Sequence, residues 1–128
     1  MKHTVLAALL AGSAMMSGAA MAEGDAAAGE IVFRQCLMCH TTGEGQPNRI
    51  GPNLYGLFGS TAGQKEGFIY SPPMMTSGIV WDEETLAGFL SSPATYVPGN
   101  RMPATGVAAE PDLSNLVAYL KEATAPAE

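Results

Sequence analysis

This chain predicts a small, all-α and loop-rich fold, and three observations carry that reading. Apolar residues recur at helical spacing in separate segments, no segment alternates convincingly enough for a strand, and 15 glycines and 9 prolines punctuate the intervals. At 128 residues the chain makes one domain at most. Residues 25–38 read as the first helix, with Asp25 as its N-cap and Ile31, Val32, Phe33 and Gln35 spread around a mixed surface. Residues 41–50 are polar and rich in Gly, Pro and Asn, hence a loop. Residues 52–58 are expected to form a short helix closed by Gly59, and residues 61–77 to be irregular. Asp82 caps a further helix with Glu83 and Glu84 in its first turn and Leu86, Phe89 and Leu90 on one face; it must stop before Pro93. Residues 96–107 read as a Pro- and Gly-rich loop. Pro111 is expected at the first position of a last helix, with Leu113, Leu116, Val117 and Leu120 on one face.

Residues 1–22 have the pattern of a cleaved secretory signal. Lys2 and His3 form a short positive start, an apolar stretch rich in small residues follows, and Ala20-Met21-Ala22 is a small-residue cleavage site. An uncleaved membrane anchor is the rival, but the run is short and heavy in Ala, Gly and Ser, whereas a crossing needs about 20 mainly apolar residues. The expectation is therefore a signal peptide over 1–22 and one domain over 23–128, exported to the periplasm. All 12 acidic residues but only five of the six basic ones lie after residue 22, so the mature chain of 106 residues carries a net charge of −7. That charge argues against nucleic acid or an anionic membrane surface as partner, and no membrane insertion is expected once the signal is removed.

The chemistry is concentrated in Cys36-Leu37-Met38-Cys39-His40. Two cysteines separated by two residues, with a histidine directly after, read as covalent attachment of a c-type haem. Both thiols must add to vinyl groups on one edge of the porphyrin, and two intervening residues let the backbone place both sulfurs along it. His40 then lies under the iron as the proximal ligand. Three plainer readings compete. A redox dithiol does not need the histidine, a zinc site would need two more ligands, and a simple structural disulfide between Cys36 and Cys39 is the remaining alternative. Export also places the cysteines outside the cytoplasm, where c-type haem is attached. A mature chain of this length is marginal for a core of side chains alone, so the fold is expected to wrap around one covalent haem. Of the methionines, Met74, Met75 and Met102 remain as candidates for the other face of the iron; gap filling in a core is the commoner use of any single Met. Met102 lies between prolines in Tyr96-Val97-Pro98-Gly99-Asn100-Arg101-Met102-Pro103, a stiffened loop 62 residues beyond His40.

These residues, taken in order, resemble a known family. From Gly24 to Thr124 the chain looks like a class I cytochrome c, of the mitochondrial type and the bacterial cytochrome c2 type. The resemblance rests on the attachment motif, on Gly51-Pro52-Asn53-Leu54-Tyr55-Gly56-Leu57-Phe58-Gly59, on Gly78-Ile79-Val80-Trp81, on the loop ending at Met102, and on Leu116-Val117-Ala118-Tyr119-Leu120-Lys121. It implies that Met102 is the distal ligand, so that His40 and Met102 hold the metal. It implies that the Pro52 carbonyl accepts the His40 Nδ1–H, and that Tyr70 and Trp81 hydrogen-bond an inner propionate. It also implies that the first and last helices cross, Gly29 and Phe33 meeting Leu116 and Tyr119. The departures are Ser60 where the family often has a basic residue near the propionates, Phe89 for a tyrosine beside the Met sulfur, Asn100 for a threonine, and Met74 for an asparagine that orders internal water. The family's ring of lysines is mostly missing.

The function implied is a periplasmic one-electron carrier, not an enzyme, acting as a monomer between respiratory or photosynthetic redox proteins such as a cytochrome bc1-type complex, an oxidase or a reaction centre. The alternative is a haem peroxidase or a gas- or ligand-binding cytochrome, which requires an open or displaceable distal site. A third reading is a fixed electron-transfer module of a larger complex.

Overall fold

The computed structural model describes residues 24–127 together with Gly12. Apart from Gly12, the expected signal peptide lies outside the described residues. Helix α1 (Ala26–Phe33) begins where the Asp25 carboxylate accepts the N–H groups of Ala27 at 2.9 Å and Ala28 at 3.3 Å. It is shorter than the expected 25–38. From Arg34 the chain tightens into a 3-10 turn (Arg34–Cys36), and the Cys36 carbonyl then accepts the N–H groups of both Cys39 (3.1 Å) and His40 (3.0 Å). The tighter winding gathers Cys36, Cys39 and His40 at the end of the helix.

The expected helix over 52–58 does not form. The Asn53 side chain accepts the Tyr55 N–H at 3.0 Å and donates to the carbonyls of Gly43 and Gln46, which makes a turn. Gly56 follows at φ +72°, a conformation that ends any right-handed helix, and its N–H goes to the Thr124 carbonyl at 2.7 Å. Conversely, the stretch expected to be irregular contains a short helix, α2 (Pro72–Thr76). Its two prolines occupy the first turn, where no N–H is needed, and the Ser71 hydroxyl accepts the Met74 N–H at 3.3 Å.

Helix α3 (Glu83–Ser91) has the expected cap: the Asp82 carboxylate takes the Thr85 N–H at 2.7 Å and the Thr85 hydroxyl takes the Asp82 N–H at 2.9 Å. It ends before Pro93, which opens a single further turn, α4 (Pro93–Tyr96), a stretch for which the sequence pattern predicts no element before the loop expected from residue 96. Helix α5 (Asp112–Ala123) starts one residue later than expected, because Pro111 sits outside helical geometry as the N-cap; Glu110 takes the Ser114 N–H at 3.2 Å. Among the described residues there is no strand, only an isolated bridge between Thr61 and Val80. No helix among them is long and apolar enough to cross a membrane.

The terminal helices cross as expected. Phe33 packs on Tyr119 with ring centroids 5.2 Å apart. A Cβ on Gly29 would overlap the Asn115 carbonyl and come within 2.8 Å of the Tyr119 Cβ, so only glycine permits this approach. Asn115 joins the expected Tyr119 as a neighbour of Gly29, and Leu116 is buried in the core with Phe33, Leu113, Val117 and Leu120. Asn115 also accepts the Asp25 N–H at 2.8 Å, tying the start of α1 to α5. From α3, Leu86, Phe89 and Leu90 join the same core, with Trp81 just ahead of the helix.

Candidate functional site

A cavity of about 770 Å³ is bordered by Cys36, Cys39, His40, Pro52, Tyr70, Trp81 and Met102. All seven residues expected from sequence are thereby brought to one space, although they span 67 positions of chain. Much of the remaining wall is apolar, including Phe33, Leu54, Leu57, Leu86, Phe89, Leu116 and Leu120. The volume is within the about 300–1,000 Å³ usual for ligand pockets.

His40 is the most constrained of the polar groups. Its Nδ1–H donates to the Pro52 carbonyl at 2.7 Å. A carbonyl only accepts, so Nδ1 carries a proton, and in the neutral ring Nε2 then keeps its lone pair. Burial holds the ring below the ordinary imidazole range, with the Pro52 bond pulling the other way. A neutral imidazole with a free Nε2 is the form that ligates a metal. Gly51 leaves the space for this ring: a Cβ there would lie 2.8 Å from Nδ1 and 2.9 Å from Nε2. The Gly51 N–H returns to the Cys39 carbonyl at 2.8 Å, and the Arg49 guanidinium donates to the Leu37 carbonyl at 2.7 Å. The loop after the motif is thus bonded back onto the motif. Cys36 and Cys39 are not joined to each other as a disulfide, and burial, then the neighbouring Cys39, pushes the Cys36 thiol up.

Trp81 is held in register by its N–H to the Ser60 carbonyl (2.9 Å) and by the Gly59 N–H to its own carbonyl (2.7 Å), and it packs on Phe89 at 5.3 Å. Burial pushes the Tyr70 phenol up, while the backbone N–H of Lys65 opposes the rise, so the hydroxyl keeps its proton near neutrality. The Met102 N–H donates to the Asn100 Oδ1 at 2.8 Å. Met74 also borders the cavity, whereas Met75 is 45% exposed.

Three residues that border or brace the site were not among the site residues expected from sequence. Gly51 carries no chemistry to signal it beyond its place in a Gly-Pro pair. Lys65 borders the cavity with its ammonium on the carbonyls of Asn53 (2.7 Å) and Tyr55 (3.2 Å), and burial draws its pKa down. Asn100 stood out only as a departure from the family pattern. Ser60, the other polar departure, uses its hydroxyl on the Leu57 carbonyl at 2.5 Å.

Two thiols, an imidazole with a free Nε2 and a thioether around one apolar cavity form a donor set that suits covalent haem and the two axial positions of its iron. Comparison with known proteins agrees. The match to the cytochrome c family runs over residues 26–124. The chain belongs to the cytochrome c family. Its relatives include a cytochrome c2 of Blastochloris viridis, 46% identical over 106 residues that cover 83% of this chain and 84% of that one. A cytochrome c of Stellaria longipes is 43% identical over 103 residues, covering 80% and 95% of the two chains. A cytochrome c2 of Rhodospirillum rubrum is 41% identical over 132 aligned positions, covering 94% and 98%. As a cytochrome c, the protein binds one covalent haem c, and Cys36 and Cys39 fit its attachment motif. Its relatives support the general activity of a haem c electron carrier.

Proposed function

We propose that this protein is a soluble periplasmic one-electron carrier, exported by residues 1–22, whose haem is held by Cys36 and Cys39 and ligated by His40 and Met102. The observation that carries the reading is the His40–Pro52 bond on the wall of the cavity that Met102 also borders. When bound, the haem supplies a one-electron ferric/ferrous couple. The residues do the rest. Pro52 fixes the imidazole plane and raises the basicity of Nε2. The Met102 thioether favours the ferrous state and blocks the distal position. Two thioether links prevent loss of the cofactor during repeated docking. Tyr70 and Trp81 are suited to donate to a propionate, the first because its phenol stays protonated. The test is the optical spectrum of the mature ferric protein. A weak near-infrared Met-to-iron charge-transfer band is expected; a high-spin spectrum would favour the peroxidase or ligand-binding alternative.

The partners we propose are redox proteins that dock at the attachment motif. Leu37, Met38 and Ile50 are 46%, 78% and 70% exposed there, beside Arg49. Arg34, Arg49 and Arg101 are exposed, but they stand within a net charge of −7 for residues 23–128. At physiological salt the screening length is about 8 Å, so such a small patch guides only the last approach. We expect electron-transfer rates with the native partner to vary weakly with salt, or to rise if that partner is also acidic. Stopped-flow measurement across a salt series checks this, and a steep fall in rate would mean that the arginines dominate the field.

A further inference from the structure

We propose that Asn100 is the positioning residue that keeps Met102 at the iron, by clamping the backbone of the ligand to the single-turn helix α4. This rests on the reading of Met102 as the distal ligand. The Asn100 amide donates from Nδ2 to the carbonyls of Pro93 (2.8 Å) and Val97 (2.9 Å), and its Oδ1 accepts the Met102 N–H at 2.8 Å. Its own N–H donates to the Val97 carbonyl at 3.1 Å. Both donors and the acceptor are therefore engaged. Because carbonyls only accept and a backbone N–H only donates, the amide has one possible orientation.

The other end of the clamp is firm. Pro93 and Val97 are buried, and Tyr96 of α4 packs edge-on against Phe89 of α3 at 6.5 Å. Gly88 of α3 gives Tyr96 its space, since a Cβ there would come within 2.6 Å of the ring. A path of contacts thus runs from α3 through α4 and Asn100 to the backbone of Met102. Beyond Met102 the next backbone anchor is distant: Pro103 has no N–H, and Val107 is the next residue whose N–H is bonded within the backbone, to Leu90 at 2.7 Å. On the N-terminal side, Asn100 is what ties Met102 down. The threonine that the family often has here carries one hydroxyl, which cannot donate to two carbonyls and also accept from the ligand.

The prediction is a local one. In Asn100→Ala, Met102 should leave the iron more readily while the fold persists. Ferric holoprotein should bind imidazole about tenfold or more tightly than the parent, as the three side-chain hydrogen bonds of Asn100 are lost from the closed state. The near-infrared band should vanish on heating well below the far-UV transition. Asn100→Asp keeps the acceptor for the Met102 N–H but loses both donors, and should behave like Asn100→Ala; Asn100→Thr should fall between Asn100→Ala and the parent and guards against a variant that fails to fold. Met102→Ala is run alongside. If it retains the band, the ligand assignment fails and the clamp with it. If it loses the band while Asn100→Ala and Asn100→Thr keep parental imidazole affinity, the clamp is wrong and Met102 stands. If the band and the far-UV signal of Asn100→Ala melt together at a lowered temperature with unchanged imidazole affinity, Asn100 only stabilises the fold, which also overturns the proposal.

Discussion

Met102→Ala should lower the midpoint potential by on the order of 0.2 V, a fraction of the about 0.8 V that axial ligation spans across haem proteins. The thioether sulfur is a soft, weak donor that favours ferrous iron. Its removal leaves water or an added ligand in its place, and both favour the ferric state. Met102 is partly buried and packs against the hydrophobic core, so alanine also opens room on that wall of the cavity. Imidazole and cyanide should then bind without displacing a protein ligand, so their affinities should no longer depend on opening of the Met102 loop, as is expected of the parent. Potentiometry with ligand titration measures both. Met74→Ala is the decisive control, because Met74 borders the same cavity. If Met74→Ala lowers the potential and Met102→Ala leaves the spectrum intact, the distal ligand has been misassigned. Met75→Ala should do neither.

How much of this was legible beforehand depended on how local each signal is. Cys36, Cys39 and His40 form a contiguous motif, and the caps at Asp25 and Asp82 act on N–H groups within three residues. Such features can be read from a line of text. The failures share the opposite property. The segment 52–58 has a composition compatible with a helix, but the Asn53 amide is drawn to the carbonyls of Gly43 and Gln46, and the Gly56 N–H to Thr124 at the far end of the chain. No propensity scale contains those partners. Pro72 and Pro73 read as breakers, yet after a serine cap they begin a helix, since the groups that proline lacks are the ones a first turn leaves unused. Lys65 illustrates the same limit at the site: a surface-type residue in sequence, it reaches carbonyls 10 and 12 residues back and lies on the cavity wall.

Replacing both attachment cysteines, Cys36→Ser with Cys39→Ser, should remove covalent haem altogether and leave the 106 residues after position 22 without a cooperative fold. The reason is the size of the space the cofactor fills. A dry void costs about 24 cal/mol per Å³. Left dry, a space of about 770 Å³ would cost an amount comparable with or larger than the about 5–15 kcal/mol by which domains are stable. The space would not stay dry, since it is partly open to solvent, but flooding it is no remedy. Water would then meet Phe33, Leu54, Leu57, Leu86, Phe89, Leu116 and Leu120, and burying any one such side chain is worth about 1.5–3 kcal/mol. Phe33 of α1 and Leu116 and Leu120 of α5 also belong to the one hydrophobic core of the two helices that cross, so the wetted wall and the helix crossing draw on the same core. Removing the porphyrin therefore removes a shared partner of every long helix. The backbone bonds around Cys36, Cys39 and Gly51 do not depend on the thiols and would survive only as local turns. The measurements are haem staining after denaturing electrophoresis, far-UV circular dichroism and thermal melting of the haem-free double variant. Weak helical signal without a sigmoidal transition is the expected outcome. A sharp melt in the haem-free chain would show that the side-chain core folds on its own, and that the cysteines serve only to retain the cofactor.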